Sequence, residues 1–191
     1  EMKLNLKKNL IMGTKIFGDK KIKIRKLSSK DLKKTKELRD FINSFVDEDA
    51  QIMMNKKVSL KEEEKWLEAK LENIKKRKGV FLVAKHSSTI VGTTGIDLGI
   101  WRQGHIGNLG ITIKKGYRGI GLGTYLMEEI IKLAVKKLKP KPKIIRLSVF
   151  SDNKTALSLY KKYKFKKVAI VPKQIEFNNK LLDEIIMLLY L

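Results

Sequence analysis

Residues 118–123, Arg-Gly-Ile-Gly-Leu-Gly, place three alternate glycines behind a cation and just before an apolar run opening at Tyr125-Leu126-Met127. Removing side chains from the front of a helix exposes backbone amides that have no partner inside the helix. With the positive end of the helix dipole behind them, such amides form an anion site. Two well-known phosphate loops do not fit. A P-loop requires lysine and then serine or threonine after its last glycine, and here Gly123 is followed by Thr124-Tyr125. A dinucleotide fingerprint starting at Gly119 requires glycine or alanine where Thr124 stands, and an acidic residue about 20 residues further on, where this chain is rich in lysine. Taken alone, the glycines also fit a helix entrance shaped only for tight packing.

Elements on both sides must position this loop. KIKIRKL (21–27) alternates as a strand does. The next segment predicts a helix with Leu38, Phe41, Ile42 and Phe45 on one stripe. A second helix opens at Ser59, whose pairing with Glu62 makes a capping box; Leu67, Leu71 and Ile74 form its buried face, and Gly79 marks its end. Strand patterns follow at 80–85, 89–98 and 105–113, with short turns that predict an antiparallel meander. The glycine loop then opens a helix to about Leu138, with Met127, Ile130, Ile131 and Ala134 inward. KIIRLSVF (143–150) is a near-continuous apolar run, as expected of a strand covered on both faces. A short helix over 151–162 carries Ala156, Leu159, Tyr160 and Tyr163 on one face, and two strands, FKKVAIV and DEIIMLLYL, close the chain. The predicted class is α/β with a mixed sheet, in the order β-α-α-β-β-β-α-β-α-β-β. The crossover from 105–113 to 143–150 is expected to be parallel and right-handed. Residues 1–20 read as an N-terminal extension and 21–191 as one domain.

Composition narrows the chemistry. The 191 residues contain no cysteine and two histidines, His86 and His105. That excludes disulfides, thiolate metal sites and a cysteine nucleophile, and no metal is expected. No apolar run reaches a membrane span and the N-terminus is too polar for a secretory signal, so a cytoplasmic protein with no membrane partner is expected. The formal charge of +23 attracts polyanions, yet its lysines are spread along the chain as on a solvated basic surface.

Arg118-Gly119-Ile120-Gly121-Leu122-Gly123, followed by LSVFSDNKTALSLYKKYKF (147–165), resembles the GCN5-related N-acetyltransferase (GNAT) superfamily, and the likeness runs from Lys21 to Leu191. The resemblance implies a cosubstrate, acetyl-CoA, whose pyrophosphate would lie on residues 118–124, Thr124 included. It implies that Ile111, Thr112 and Ile113, on a strand splayed from its neighbour, meet the pantetheine arm, with Asn153 and Tyr160 beside it. Tyr160 stands at the family's general-acid position, although its apolar face also suits a core tyrosine. Asn153 equally suits an ordinary helix cap. Relatives often carry a carboxylate base on the strand before the glycine loop; NLGITI offers none, which leaves His105 acting through water, or a water chain. Lys164 stands where relatives commonly place glycine, and is expected there only if the turn does not need glycine's backbone conformation.

The implied activity is direct transfer of an acetyl group to a primary amine: a polyamine-like small molecule, a lysine side chain or a protein N-terminus. The loop between the first two helices would line the acceptor side, where Asp47, Glu48 and Asp49 offer carboxylates to a cationic amine, or are simply solvated. Trp101 either walls the site or packs in a hairpin turn. The alternative is a basic RNA- or ribosome-binding protein on the same scaffold, with coenzyme A regulatory or vestigial; KYKFKK (162–167) is its one run of interleaved basic and aromatic residues. Either a monomer or a homodimer is compatible with the sequence.

Overall fold

The computed structural model describes residues 13–191. These form a sheet of strands β1 (Gly13–Phe17), β2 (Lys20–Lys26), β3 (Gly79–His86), β4 (Thr89–Leu98), β5 (Ile106–Ile113), β6 (Ile144–Phe150), β7 (Lys166–Phe177) and β8 (Lys180–Tyr190). The helices are α1 (Thr35–Asp47), α2 (Leu60–Lys75), α3 (Leu122–Lys137) and α4 (Lys154–Lys162). The spatial order is β1-β2-β3-β4-β5-β6-β8-β7, and every pairing is antiparallel except β5 with β6. The expected mixed sheet with a single parallel crossover is therefore the observed architecture.

Both faces of the sheet are covered, which explains why β3 reads as an unbroken apolar run. Val80, Leu82 and Ala84 join the core under α3, with Leu126, Met127 and Ile130. Phe81 and Val83 point the other way, against Leu38, Phe41 and Phe45 of α1 and Leu67 of α2. Each large side chain fully buried here contributes about 1.5–3 kcal/mol. The capping box at α2 forms as the sequence indicates: Glu62 N donates to Ser59 Oγ and Ser59 N to Glu62 Oε2.

Four local features differ from expectation. Gly13–Phe17 belongs to the sheet, pairing with β2, while residues 1–12 of the expected extension lie outside the described residues. Ser29–Lys34 is a 3-10 segment rather than the first turns of α1. β7 and β8 run longer than the sequence suggested and turn at Asn178-Asn179, whose φ values of 50° and 57° suit a tight hairpin. Lys164 adopts φ 63°, so the turn after α4 keeps the left-handed conformation although no glycine is present.

The feature that makes a site is the parting of β5 from β6. Their parallel pairing covers only Ile106↔Ile144, Gly107↔Ile145 and Asn108↔Arg146. β5 continues to Ile113 and β6 to Phe150, the latter still held on its other edge by β8. The sheet thus opens into a V, and the chain leaves the open end of β5 directly into the glycine loop.

Candidate active site

The glycines of the loop serve different ends. Gly119 (φ 77°) and Gly121 (φ 89°) occupy the left-handed region, and a Cβ on either would meet nothing within 4 Å. The backbone turns there and faces open space. Gly123, inside α3, is required for contact: a Cβ would sit 3.0 Å from Ile113 Cδ1 and 3.4 Å from Leu159 Cδ2. Gly121 caps α3 without a side-chain hydrogen bond, and Tyr125 N is the amide that donates to Gly121 O. The amides of Leu122, Gly123 and Thr124 therefore have no intrahelical acceptor. The side chains of Ile120 and Leu122 turn into or against the core, so these two residues offer only backbone to the loop.

A cavity of about 620 Å³ fills the V. Ile111, Thr112 and Ile113 line it from β5; Arg118, Gly119, Gly121, Gly123 and Thr124 from the loop; and Asn153 and Tyr160 from α4. The two distant sequence motifs thus converge on one space. Asn153 Oδ1 caps α4 by accepting from Ala156 N (3.0 Å), while its amide hydrogens have no protein partner among the described residues. Tyr163 fixes α4 to the start of α3, its hydroxyl donating to Thr124 O at 2.5 Å. Tyr160 is 7% exposed, its hydroxyl makes no hydrogen bond among the described residues, and burial pushes the phenol up to about 12.

The charged candidates are placed differently from expectation. Arg118 forms an ion pair with Glu48, its Nε donates to Ile113 O (2.7 Å), and its guanidinium lies 5.9 Å from the Phe45 ring centroid. Asp47 pairs with Lys57 at 2.7 Å, and Asp49 lines a separate pocket beside Phe150 and Phe177. The α1–α2 loop also crosses to the far wall, where Gln51 Nε2 donates to Asp152 Oδ1 (2.8 Å). Asp47, Glu48 and Asp49 therefore belong to a strap around the V and are not gathered as an amine receptor. His105 stands before β5, at the closed end of the V, and lines neither that cavity nor the one described next. Six residues separate it from Ile111, about 20 Å of extended strand. Trp101 is 91% exposed in the β4–β5 turn.

A second cavity, about 420 Å³, lies on the other side of β5 between α1, α2 and the sheet, and Ile111 and Thr112 line both. Its walls include Phe41, Ile42, Trp66 and Phe81, and its floor Thr93, Gly95, Gly110 and Thr112. Glu63 projects from α2 into it, 7% exposed and without a hydrogen bond or ion pair for its carboxylate among the described residues; burial pushes the carboxyl up to about 7. Asp97 is ion-paired with Lys70 through Oδ2, while its buried Oδ1 has no partner among the described residues. Sequence reasoning missed these residues, although a signal existed. Glu63 stands four residues before Leu67 on the stripe continued by Leu71 and Ile74, an acid where the helix faces inward.

The residues at the V suit a phosphate-bearing thioester. Three amides without intrahelical acceptors front a glycine cradle, and the open edge of β5 offers backbone groups to an amide-rich arm. Among the described residues no group of three or more His, Asp or Glu side chains is placed to hold a metal, and no helix is long and apolar enough to cross a membrane. The run KYKFKK offers no stacking face for bases, since Tyr163 and Phe165 are both 3% exposed.

Comparison with known proteins agrees with this architecture. The L-amino acid N-acetyltransferase AaaT of Escherichia coli is 34% identical over 85 residues, which is 44% of this chain and 51% of that protein, so the match spans about half the relative's length. An acetyltransferase of the GNAT family from Streptococcus pneumoniae is 25% identical with a TM-score of 0.77, over 89% of this chain and 99% of that one. The fold is shared with yncA of Salmonella typhimurium, solved with its cofactor acetyl-CoA: TM-score 0.71, 19% identity, 88% of this chain and 93% of that one. The model of the acetyltransferase (GNAT) family matches residues 42–165, nearly two thirds of the chain and both walls of the V, and the protein belongs to that family.

Proposed function

We propose that the protein transfers the acetyl group of acetyl-CoA to a primary amine, both substrates being held together across β5. The observation that carries this reading is the convergence of the glycine loop, the open edge of β5 and Tyr160 on one cavity, with a second cavity across the same strand. Bound acetyl-CoA supplies a thioester whose carbonyl carbon accepts the amine nitrogen while sulfur leaves as thiolate.

The chain's own residues supply binding and proton handling. The amides of Leu122–Thr124 hold pyrophosphate oxygens, with Gly119 and Gly121 allowing the close approach. Backbone groups at Ile111 and Ile113 orient the pantetheine arm, and an amide there polarises the carbonyl. Asn153 has its amide hydrogens free for the same arm. Tyr160, kept protonated by burial, donates a hydrogen bond to the departing sulfur. The amine enters from the second cavity, where carboxylates face it.

Because the chain has no cysteine, any thiol released during turnover comes from coenzyme A alone. A panel of primary amines with acetyl-CoA, followed by thiol release and by the mass of the acetylated amine, tests the reading. Thiol release that depends on amine supports it; thiol release at one rate with every amine and with none would reject it.

A further inference from the structure

We propose that Glu63 is the proton acceptor for the attacking amine, and that the second cavity selects a primary amine whose body is apolar and bears no carboxylate. This rests on the acetyl-transfer reading above and deepens it. Glu63 is more than nine-tenths buried, faces the cavity and has no partner for its carboxylate among the described residues, a costly arrangement unless a ligand completes it. Its own helix packs that acid on an inward stripe with Leu67. The cavity reaches Thr112 and Ile111, the strand residues that also line the V, so an amine beside Glu63 and a thioester on β5 meet at one strand.

The charges facing the cavity set the substrate class. They are Glu62, Glu63 and Asp97 against Lys70, acid-rich in a chain of net charge +23. Glu62 is occupied by the Ser59 cap, and Lys70 by Asp97 and the faces of Trp66 and Phe81. Among the described residues that line the cavity, no cation is left to receive a substrate carboxylate. Phe41, Ile42, Trp66 and Phe81 offer an apolar wall that a polyamine, charged along its length, would not use. An amino-acid amide, a peptide N-terminus with an aliphatic or aromatic first residue, or an alkylamine shares the chemistry that fits.

Protons balance without another reactant. The bound ammonium gives one proton to Glu63, which returns it to solvent. As the C–N bond forms and the C–S bond breaks, the remaining surplus N–H proton leaves with the thiolate as the thiol. The carboxyl, held near 7 by burial, is well matched to this exchange at neutral pH.

The test uses a Trp101→Phe background, in which Trp66 is the only tryptophan and lines the cavity. Titration with leucine amide, free leucine and spermidine reads binding by Trp66 fluorescence, independently of turnover. Leucine amide is expected to bind at least about tenfold more tightly than the other two, a difference of about 1.4 kcal/mol. Gly110→Val projects into the cavity from a floor position where a Cβ meets nothing within 4 Å; with an unfolding midpoint that reports retained folding, it should abolish the amide's signal and leave acetyl-CoA affinity unchanged. Glu63→Gln should lower kcat/KM for leucine amide about 100-fold and remove the rising limb near neutral pH from its profile, again with acetyl-CoA affinity unchanged. Equal or tighter binding of leucine or spermidine would overturn the substrate class. An unchanged pH limb in Glu63→Gln would overturn the base. Failure of the acetyl-transfer reading shows differently, as a wild type that releases no amine-dependent thiol.

Discussion

The guanidinium of Arg118 and the carboxylate of Glu48 form an ion pair that ties the glycine loop to the end of α1 across 70 residues of chain. The cation expected to meet phosphate and the acid expected to meet substrate thus satisfy each other. Arg118 also donates to Ile113 O, so it holds the loop to the end of β5 as well as to α1. Its removal should weaken acetyl-CoA binding about tenfold, roughly 1.4 kcal/mol, by loosening the cradle. Glu48→Gln should leave the amine KM within about twofold, since that carboxylate is held by Arg118 and lines neither cavity. Steady-state kinetics with each substrate varied in turn checks both; a tenfold rise of amine KM in Glu48→Gln would restore that acid as a receptor.

Tyr160→Phe should lower kcat about 100-fold with the Kd of acetyl-CoA unchanged, because the hydroxyl matters where charge develops on sulfur. With the phenol near 12 and a thiol near 8.5, complete transfer of its proton is uphill by about 5 kcal/mol, so the hydroxyl acts as a hydrogen-bond donor. The kcat profile should accordingly show no tyrosine limb below about pH 10. His105→Ala, by contrast, should leave kcat/KM within about twofold, in keeping with its distance of some 20 Å from the open end of β5.

Glu63 carries a stability signature of its own. Its carboxyl is raised in the folded state, from 4.5 to about 7, so the folded protein holds the proton more tightly than the unfolded chain. Stability therefore falls as pH rises from about 4.5 to 7, by roughly 3 kcal/mol for this group. Glu63→Gln should lack that fall: near wild-type stability at pH 4.5, and a higher denaturation midpoint at pH 7.5. Parallel pH dependence in variant and wild type would contradict the burial account.

Lys164→Gly should stabilise the protein by about 1 kcal/mol, since the turn holds φ 63° and glycine adopts it without the steric cost borne by lysine. Urea midpoints at constant slope measure it. No gain would mean that glycine's extra freedom in the unfolded chain cancels the relief.

The cavity in the V, proposed for the cosubstrate, was much more legible in the sequence than the cavity beside Glu63, proposed for the acceptor. Alternate glycines and the Asn153–Tyr160 spacing are local signals, and both act through backbone conformation or about two helical turns, so they survive reading in one dimension. The strap could not be read that way: whether Glu48 is free or bound to Arg118 depends on a contact 70 residues away. FKKVAIV is the strand expected, but its continuation to Phe177 was not legible, because register shifts after Lys167 and Val171 carry the pairing past the apolar run. Glu63 lay within reach of the helical period, but reading α2 for its cap and apolar face passed over an acid on the same stripe. His105 was drawn in by residue type alone, and it stands at the paired end of β5, lining neither cavity.

Calorimetric titration of acetyl-CoA at moderate salt, in the wild type and in Gly121→Glu, tests the central claim most directly. Gly121 faces open space, so the added carboxylate enters the cradle itself; its φ of 89° also carries a strain that the unfolding midpoint reports separately. Saturable one-to-one binding in the wild type, competed by free coenzyme A and lost in a folded Gly121→Glu variant, is the expected result. Binding of equal strength in both proteins, or none in the wild type, would contradict the assignment of the glycine loop to the cosubstrate's pyrophosphate.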